Sequence, residues 1–156
     1  MSWAKRRSVS FDRAAEYYDA TRSMSPAAEA QLTAVLAEAL ISHGSVLEIG
    51  VGTGRIAGPL AAAGLDVVGV DLSKPMLQKM VAKATTVPVG QADCTALPFP
   101  DDSFGSVIAS HVFHLVPEWR DATLEVLRVL RPDGVFLWAR GGHGAPGEAV
   151  FVDDDG

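Results

Sequence analysis

Glu48-Ile49-Gly50-Val51-Gly52-Thr53-Gly54 is the stretch on which the reading of the whole chain turns. Its three alternating glycines follow Val46-Leu47-Glu48-Ile49, a short apolar run with β-branched residues that reads as a buried parallel strand. A glycine turn between strand and helix lets the backbone approach a ligand closely, because no Cβ stands in the way. Dinucleotide-binding loops are spaced G-x-G-x-x-G, which would put the third glycine at position 55. Arg55 stands there, and Gly54 comes one residue earlier. Glu48 also precedes Gly50 by two, at the tip of the strand. A carboxylate is a poor neighbour for a pyrophosphate and a good one for a cation.

Outward from this loop, strands and helices alternate. Ser25 followed by Pro26 starts a helix, with a capping side chain and proline at the first helical position. Leu32, Val35, Leu36, Ala39 and Leu40 repeat at the spacing of one packed helical face, and Gly44 ends the segment. A second helix is expected over 54–63, closed by Gly64. Val67-Val68-Gly69-Val70 reads as the second strand, Ser73 as the cap of a helix to about 83, and 87–90 as a third strand near an edge because of Pro88. Residues 106–109 read as the fourth strand. Trp119, Thr123, Val126, Leu127 and Leu130 make one helical face, Arg131-Pro132-Asp133-Gly134 a turn, and Val135-Phe136-Leu137-Trp138 the fifth strand. The class is α/β, a Rossmann-like doubly wound and mostly parallel sheet, in which ligands bind beyond the carboxyl ends of the strands.

Composition narrows the function. The chain has 156 residues, 48% hydrophobic and 21% charged, enough for one domain with a real core. A net charge of −6 argues against a nucleic-acid partner. Lys5, Arg6, Arg7 and Arg13 at the start and Asp153, Asp154 and Asp155 at the end read as solvated tails. No apolar run is long enough to span a membrane, and no apolar stretch follows the N-terminal cations as a secretory signal requires. The single cysteine, Cys94, supports neither an internal disulfide nor a metal cluster. A cytoplasmic location without a metal is the expectation.

The loop resembles the first motif of the class I S-adenosylmethionine-dependent methyltransferases, E/D-x-G-x-G-x-G, on Glu48, Gly50, Gly52 and Gly54. The resemblance implies that Asp71, ending the second strand about twenty residues on, chelates the ribose hydroxyls of S-adenosyl-L-methionine. It implies that Asp93 accepts from the adenine amino group and that the backbone of Cys94 meets the ring. Asp101-Asp102-Ser103-Phe104-Gly105 resembles the D-D-S-F-D run of the small-molecule branch, which includes quinone and sterol methyltransferases (methyltransferase type 11), with Gly105 replacing the second aspartate. Ser110 matches a position that touches the methionine part of the cofactor. Val129-Leu130-Arg131-Pro132-Asp133-Gly134 resembles V-L-K/R-P-G-G, with Asp133 in place of glycine. Upstream, 11–22 resembles the leader F-D-x-x-A-x-x-Y-D-x-x-R, which implies that Tyr18 or Arg22 reaches the cofactor carboxylate. A packed amphipathic helix is the alternative for that segment. His111 and His114 are weak candidates for a general base and otherwise line the pocket; metal binding would need a third ligand.

The resemblance covers about 11–140. Complete family domains add two more strands, the last antiparallel, and the expectation is a fold lacking both, truncated at the C-terminus, with 1–24 as a leader, 25–140 as core and 141–156 as a flexible tail. An open fifth strand would be an apolar edge, so a homodimer is expected. The implied function is methyl transfer to a small-molecule acceptor. A cofactor-binding remnant without turnover and a nicotinamide-dependent oxidoreductase are the alternatives.

Overall fold

The computed structural model describes residues 24–83, 85–110, 112–139 and 150–152, with only the backbone of His114 and of 150–152. Six strands form one sheet in the order β3-β2-β1-β4-β5-β6: β1 Val46–Ile49, β2 Val67–Asp71, β3 Val89–Gln91, β4 Phe104–Ser110, β5 Leu130–Ala139 and β6 Val150–Val152. The first five pair in parallel, and β6 runs antiparallel to β5. Helices α1 (Pro26–Leu40), α2 (Ala57–Ala62) and α3 (Lys74–Ala82) precede α4 (Trp119–Val129).

Burial on both faces explains the unbroken apolar strands. Leu47, Ile49, Val107 and Ala109 pack with Ala122, Val126 and Val129 of α4. Val46 and Ile108 pack with Leu40 of α1, Ala57 and Leu60 of α2, and Leu77 and Met80 of α3. Both caps read from sequence form: Ser25 Oγ accepts from Ala28 N at 3.2 Å and Ser73 Oγ from Met76 N at 3.4 Å. Pro88 lies just ahead of the edge strand β3, where its missing N–H costs no ladder bond.

Several expectations need correction. The second helix begins at Ala57 rather than 54, because the glycine turn continues to Ile56. On α1 only Leu40 is fully buried and Val35 is exposed; on α4 the buried face is Ala122, Val126 and Val129, with Trp119 and Leu127 exposed. Short helices on a sheet bury a narrow stripe, and α4 turns a different stripe inward from the one read. The turn at 131–134 lies within β5, as a slip in register opposite Phe104 and Ser106. Asp133 takes φ 64° there, a left-handed conformation that aspartate tolerates better than most side chains, which accounts for an aspartate where the family pattern has glycine. The tail is not all unstructured: β6 pairs Val152 with Phe136, Phe151 with Leu137 and Val150 with Trp138. The edge of β5 is therefore covered at those three residues.

Gly105 has a steric reason. A Cβ there would overlap the backbone carbonyl oxygen of His43, which belongs to the turn before β1. That approach excludes the aspartate of the family pattern at this position. Gly105→Ala is expected to cost about 3 kcal/mol, since backbone cannot rotate away as a side-chain tip can. Urea unfolding reads it, and an unchanged midpoint would refute the close approach.

Candidate cofactor site at the strand tips

The loop between β1 and α2 hangs on β2. Gly50 N and Val51 N both donate to Val70 O, at 2.9 and 3.0 Å, and Gly54 N donates to Val51 O at 3.0 Å. Gly50, Gly52 and Gly54 have φ of 69°, 58° and 85°, a left-handed run that needs glycine at every second position. The alternation read in the sequence is thus a backbone requirement. Side chains enforce the rest: a Cβ on Gly50 would run into Cγ2 of Val112, and one on Gly54 would lie 2.9 Å from Cε of Met80.

Asp71, at the end of β2, ties two segments together. Its Oδ2 accepts from Gly52 N and its Oδ1 from Ser73 N, each at 2.8 Å. The carboxylate therefore braces the middle of the glycine loop and the entry to α3, and it stays half-buried at the tip of the sheet.

Glu48 is the unusual group. It is 3% exposed, and Oε2 is buried without a hydrogen-bond partner. Burial pushes its pKa up to about 8; a backbone N–H from Ala57 pulls the other way, and Asp71 adds a small repulsion. An isolated buried carboxyl is rare in proteins unless something compensates it. Together with Gly50, Ser110, Arg55, Ile56 and Leu36 it lines a cavity of about 120 Å³ between the loop and α1. A larger cavity, about 590 Å³, opens on the α3 side of the loop, between α2 and Lys83, and is also lined by Thr53, Gly54 and Arg55.

Past β3, Ala92 N donates to Asp71 O at 3.0 Å, carrying the chain across the tip of β2. Asp93 then folds a tight turn. Its Oδ1 accepts from Thr95 N at 3.0 Å and from Thr95 Oγ1 at 2.8 Å, and Ala96 N donates to Asp93 O at 3.0 Å. Oδ2 has no partner among the described residues. Cys94 turns its side chain into the core beside Leu97 and Phe113, and its thiol is pushed up to about 12 by burial and then by Asp93, so it stays protonated. Only its backbone is left for a ligand.

The structure thus brings Glu48, Gly50, Gly52, Gly54, Asp71, Asp93, Cys94 and Ser110 to the carboxyl ends of β1 to β4. Tyr18, Arg22 and His111 lie outside the described residues, as does the side chain of His114. Sequence reading missed Val112, which sits over Gly50, and the pair Glu125 and Arg128, whose spacing of three on one helix was the available signal.

A family model for the methyltransferase domain matches residues 47–138, more than half of the chain. The chain belongs to this family. That sets the nicotinamide-dependent reading aside. The chain is 36% identical over 136 residues to a demethylmenaquinone methyltransferase of Renibacterium salmoninarum, covering 85% of this chain and 57% of the relative. Among solved structures, the PH0226 protein of Pyrococcus horikoshii superposes with a TM-score of 0.71 at 27% identity, covering 85% of this chain and 62% of that one. A protein of Thermotoga maritima described as a SAM-dependent methyltransferase superposes with a TM-score of 0.65 at 26% identity, over 83% of this chain and 59% of that one. The chain spans little more than half the length of the curated relative. Among the described residues no helix is long and apolar enough to cross a membrane.

Proposed function

We propose that this domain binds S-adenosyl-L-methionine and transfers its methyl group to a small organic acceptor. The observation that carries the reading is the buried carboxyl of Glu48 near the end of β1, whose Oε2 has no hydrogen-bond partner, beside three left-handed glycines. It fits a ligand that brings a cation and a close-lying backbone contact; an anionic phosphate there would oppose it. In this reading the family's contacts fall on residues at the strand tips. Glu48 and Ser110 face the methionine end, Asp71 takes the ribose hydroxyls, and Oδ2 of Asp93 accepts from the adenine amino group, with the backbone of Cys94 alongside.

The bound cofactor supplies an activated methyl group on a sulfonium that leaves as a neutral thioether. The chain therefore needs to orient the reactants and keep water out, and strong acid or base chemistry is not required. Gly50, Val51 and Thr53 of the loop line the cavity beside Glu48, and α1 with Leu36 closes one wall. His111 and His114 stay candidates for taking a proton from an acceptor oxygen or nitrogen. We further propose a single domain over 1–156, with the leader 1–24 closing over the cofactor and Tyr18 or Arg22 meeting its carboxylate.

Calorimetry with S-adenosylhomocysteine, the demethylated product, tests the reading. Micromolar binding is expected, and a folded protein that ignores it would overturn the assignment. Binding with no transfer to any acceptor of a broad panel would favour the second reading, a remnant without turnover. Cytoplasmic residence and a homodimer are finer proposals. With β5 covered at 136–138, the sheet edges open to self-pairing are β3 and the outer side of β6. Light scattering that finds only monomer at tens of micromolar counts against the dimer.

A further inference from the structure

The segment between the Asp93 turn and β4 has no sheet partner, contains Pro98 and Pro100, and lies at the foot of α4. Its polar backbone groups are met by two side chains of that helix. Glu125 Oε2 accepts from Leu97 N at 2.7 Å. Arg128 Nη2 donates to Leu97 O at 3.0 Å, and Nη1 donates to Phe99 O at 2.7 Å and to Asp101 Oδ1 at 3.0 Å. Nε and Nη2 donate to the two carboxylate oxygens of Glu125, at 2.8 and 3.0 Å. All five N–H donors of the guanidinium are thereby engaged. Main chain closes the same junction, since Asp102 N donates to Arg128 O at 3.0 Å.

As ion pairs these contacts stabilise little. Arg128 is about a third exposed and Asp101 is 75% exposed, so water screens the pair. As a planar fork, however, the guanidinium fixes direction as well as distance, which an ammonium cannot do. The fork and Glu125 together hold both the N–H and the C=O of Leu97. Leu97 is the residue immediately after the Asp93 to Ala96 turn. The clamp therefore sets where that turn stands relative to the tips of β1 and β2.

Resting on the proposed function, in which Asp93 receives the adenine amino group, we infer that Arg128, backed by Glu125, is a positioning residue for the adenine end of the cofactor. It acts through Leu97 and touches no ligand. Without the clamp the hydrophobic anchors Cys94 and Leu97 still keep the segment near the core, so the chain folds. What is lost is the aim of Oδ2 of Asp93.

The test compares S-adenosylhomocysteine with its unsubstituted-purine analogue, which lacks only the amino group, by calorimetry on the full chain. Wild type is expected to prefer the adenosyl compound by tenfold or more. Arg128→Gln is expected to lose most of that preference, chiefly through weaker binding of the adenosyl compound, and Arg128→Lys is expected not to restore it. A variant with a lower melting temperature and an unchanged ratio between the two compounds overturns the inference, because a merely structural role moves stability alone. If Arg128→Gln fails to fold, Glu125→Gln, which keeps an acceptor for Leu97 N, must still lower the ratio. A wild type that binds both compounds equally removes Asp93 from the adenine site and the inference with it, and the cofactor assignment survives. A wild type that binds neither sinks that assignment too.

Discussion

Asp71→Ala is expected to weaken binding of S-adenosylhomocysteine by a factor of 100 or more, with the domain still folded. Two losses combine. In the proposed complex the carboxylate accepts from two ribose hydroxyls, and hydrogen bonds to a charged group contribute roughly 1.5–3 kcal/mol each. The loss of both therefore amounts to roughly 3–6 kcal/mol, at about 1.4 kcal/mol per tenfold in affinity. Independently, Oδ2 anchors Gly52 N at 2.8 Å, so the loop that floors the site loosens as well. Asp71→Asn separates the two effects. It keeps an acceptor for Gly52 N, gives up the negative charge and the acceptor for Ser73 N, and is expected to bind more weakly than wild type and more tightly than the alanine variant. Glu38→Ala, exposed on α1, serves as the distant control. Wild-type affinity in Asp71→Ala would remove this residue from the site.

The second large effect is a proton linkage at Glu48. Its folded pKa, about 8, lies above its ordinary value of 4.5. For an acid shifted upward, burial costs nothing while the group is protonated in both states. The unligated protein therefore loses stability as pH rises from about 4.5 to about 8, and no further loss accrues above that. The full cost of holding the ionised form in place is on the order of 5 kcal/mol. A cation bound beside Oε2 reverses this by favouring the carboxylate. Binding near pH 7 is therefore expected to release close to one proton, and affinity for S-adenosylhomocysteine is expected to rise between pH 6 and 8. Calorimetry in buffers of different ionisation enthalpy measures the release directly. Glu48→Gln is expected to abolish the release, weaken binding by tenfold or more, and raise the melting temperature of the unligated protein at pH 8.5. Unchanged affinity and unchanged proton release in that variant would dismiss Glu48 as the partner of a ligand cation.

Elements defined by local rules were legible before the fold was known. The caps Ser25 and Ser73 and the strand Val46–Ile49 depend on a few neighbouring residues, and the structure places them as read. Features that depend on distant chain were not legible. The inward stripe of α4 depends on how the helix sits on the sheet, so Leu127 and Trp119 read as core and are exposed. The hydrogen bonds from Arg128 to Leu97 and Phe99 cross about thirty positions of sequence, and only the spacing within Glu125-x-x-Arg128 hinted at them.

By itself the sequence determined the alternation of strands and helices, the parallel sheet, and the glycine loop with an acid ahead of it, because periodicity, caps and φ preferences act over a few residues. Packing of distant segments buries Glu48 with an unpartnered oxygen, sets Asp71 against Gly52, brings His43 where it forbids a side chain at Gly105, and lays β6 over part of β5. Each of these is a matter of burial or of contact between segments far apart in the chain. A carboxylate's pKa answers to the water it has lost, and no run of neighbouring letters records that loss.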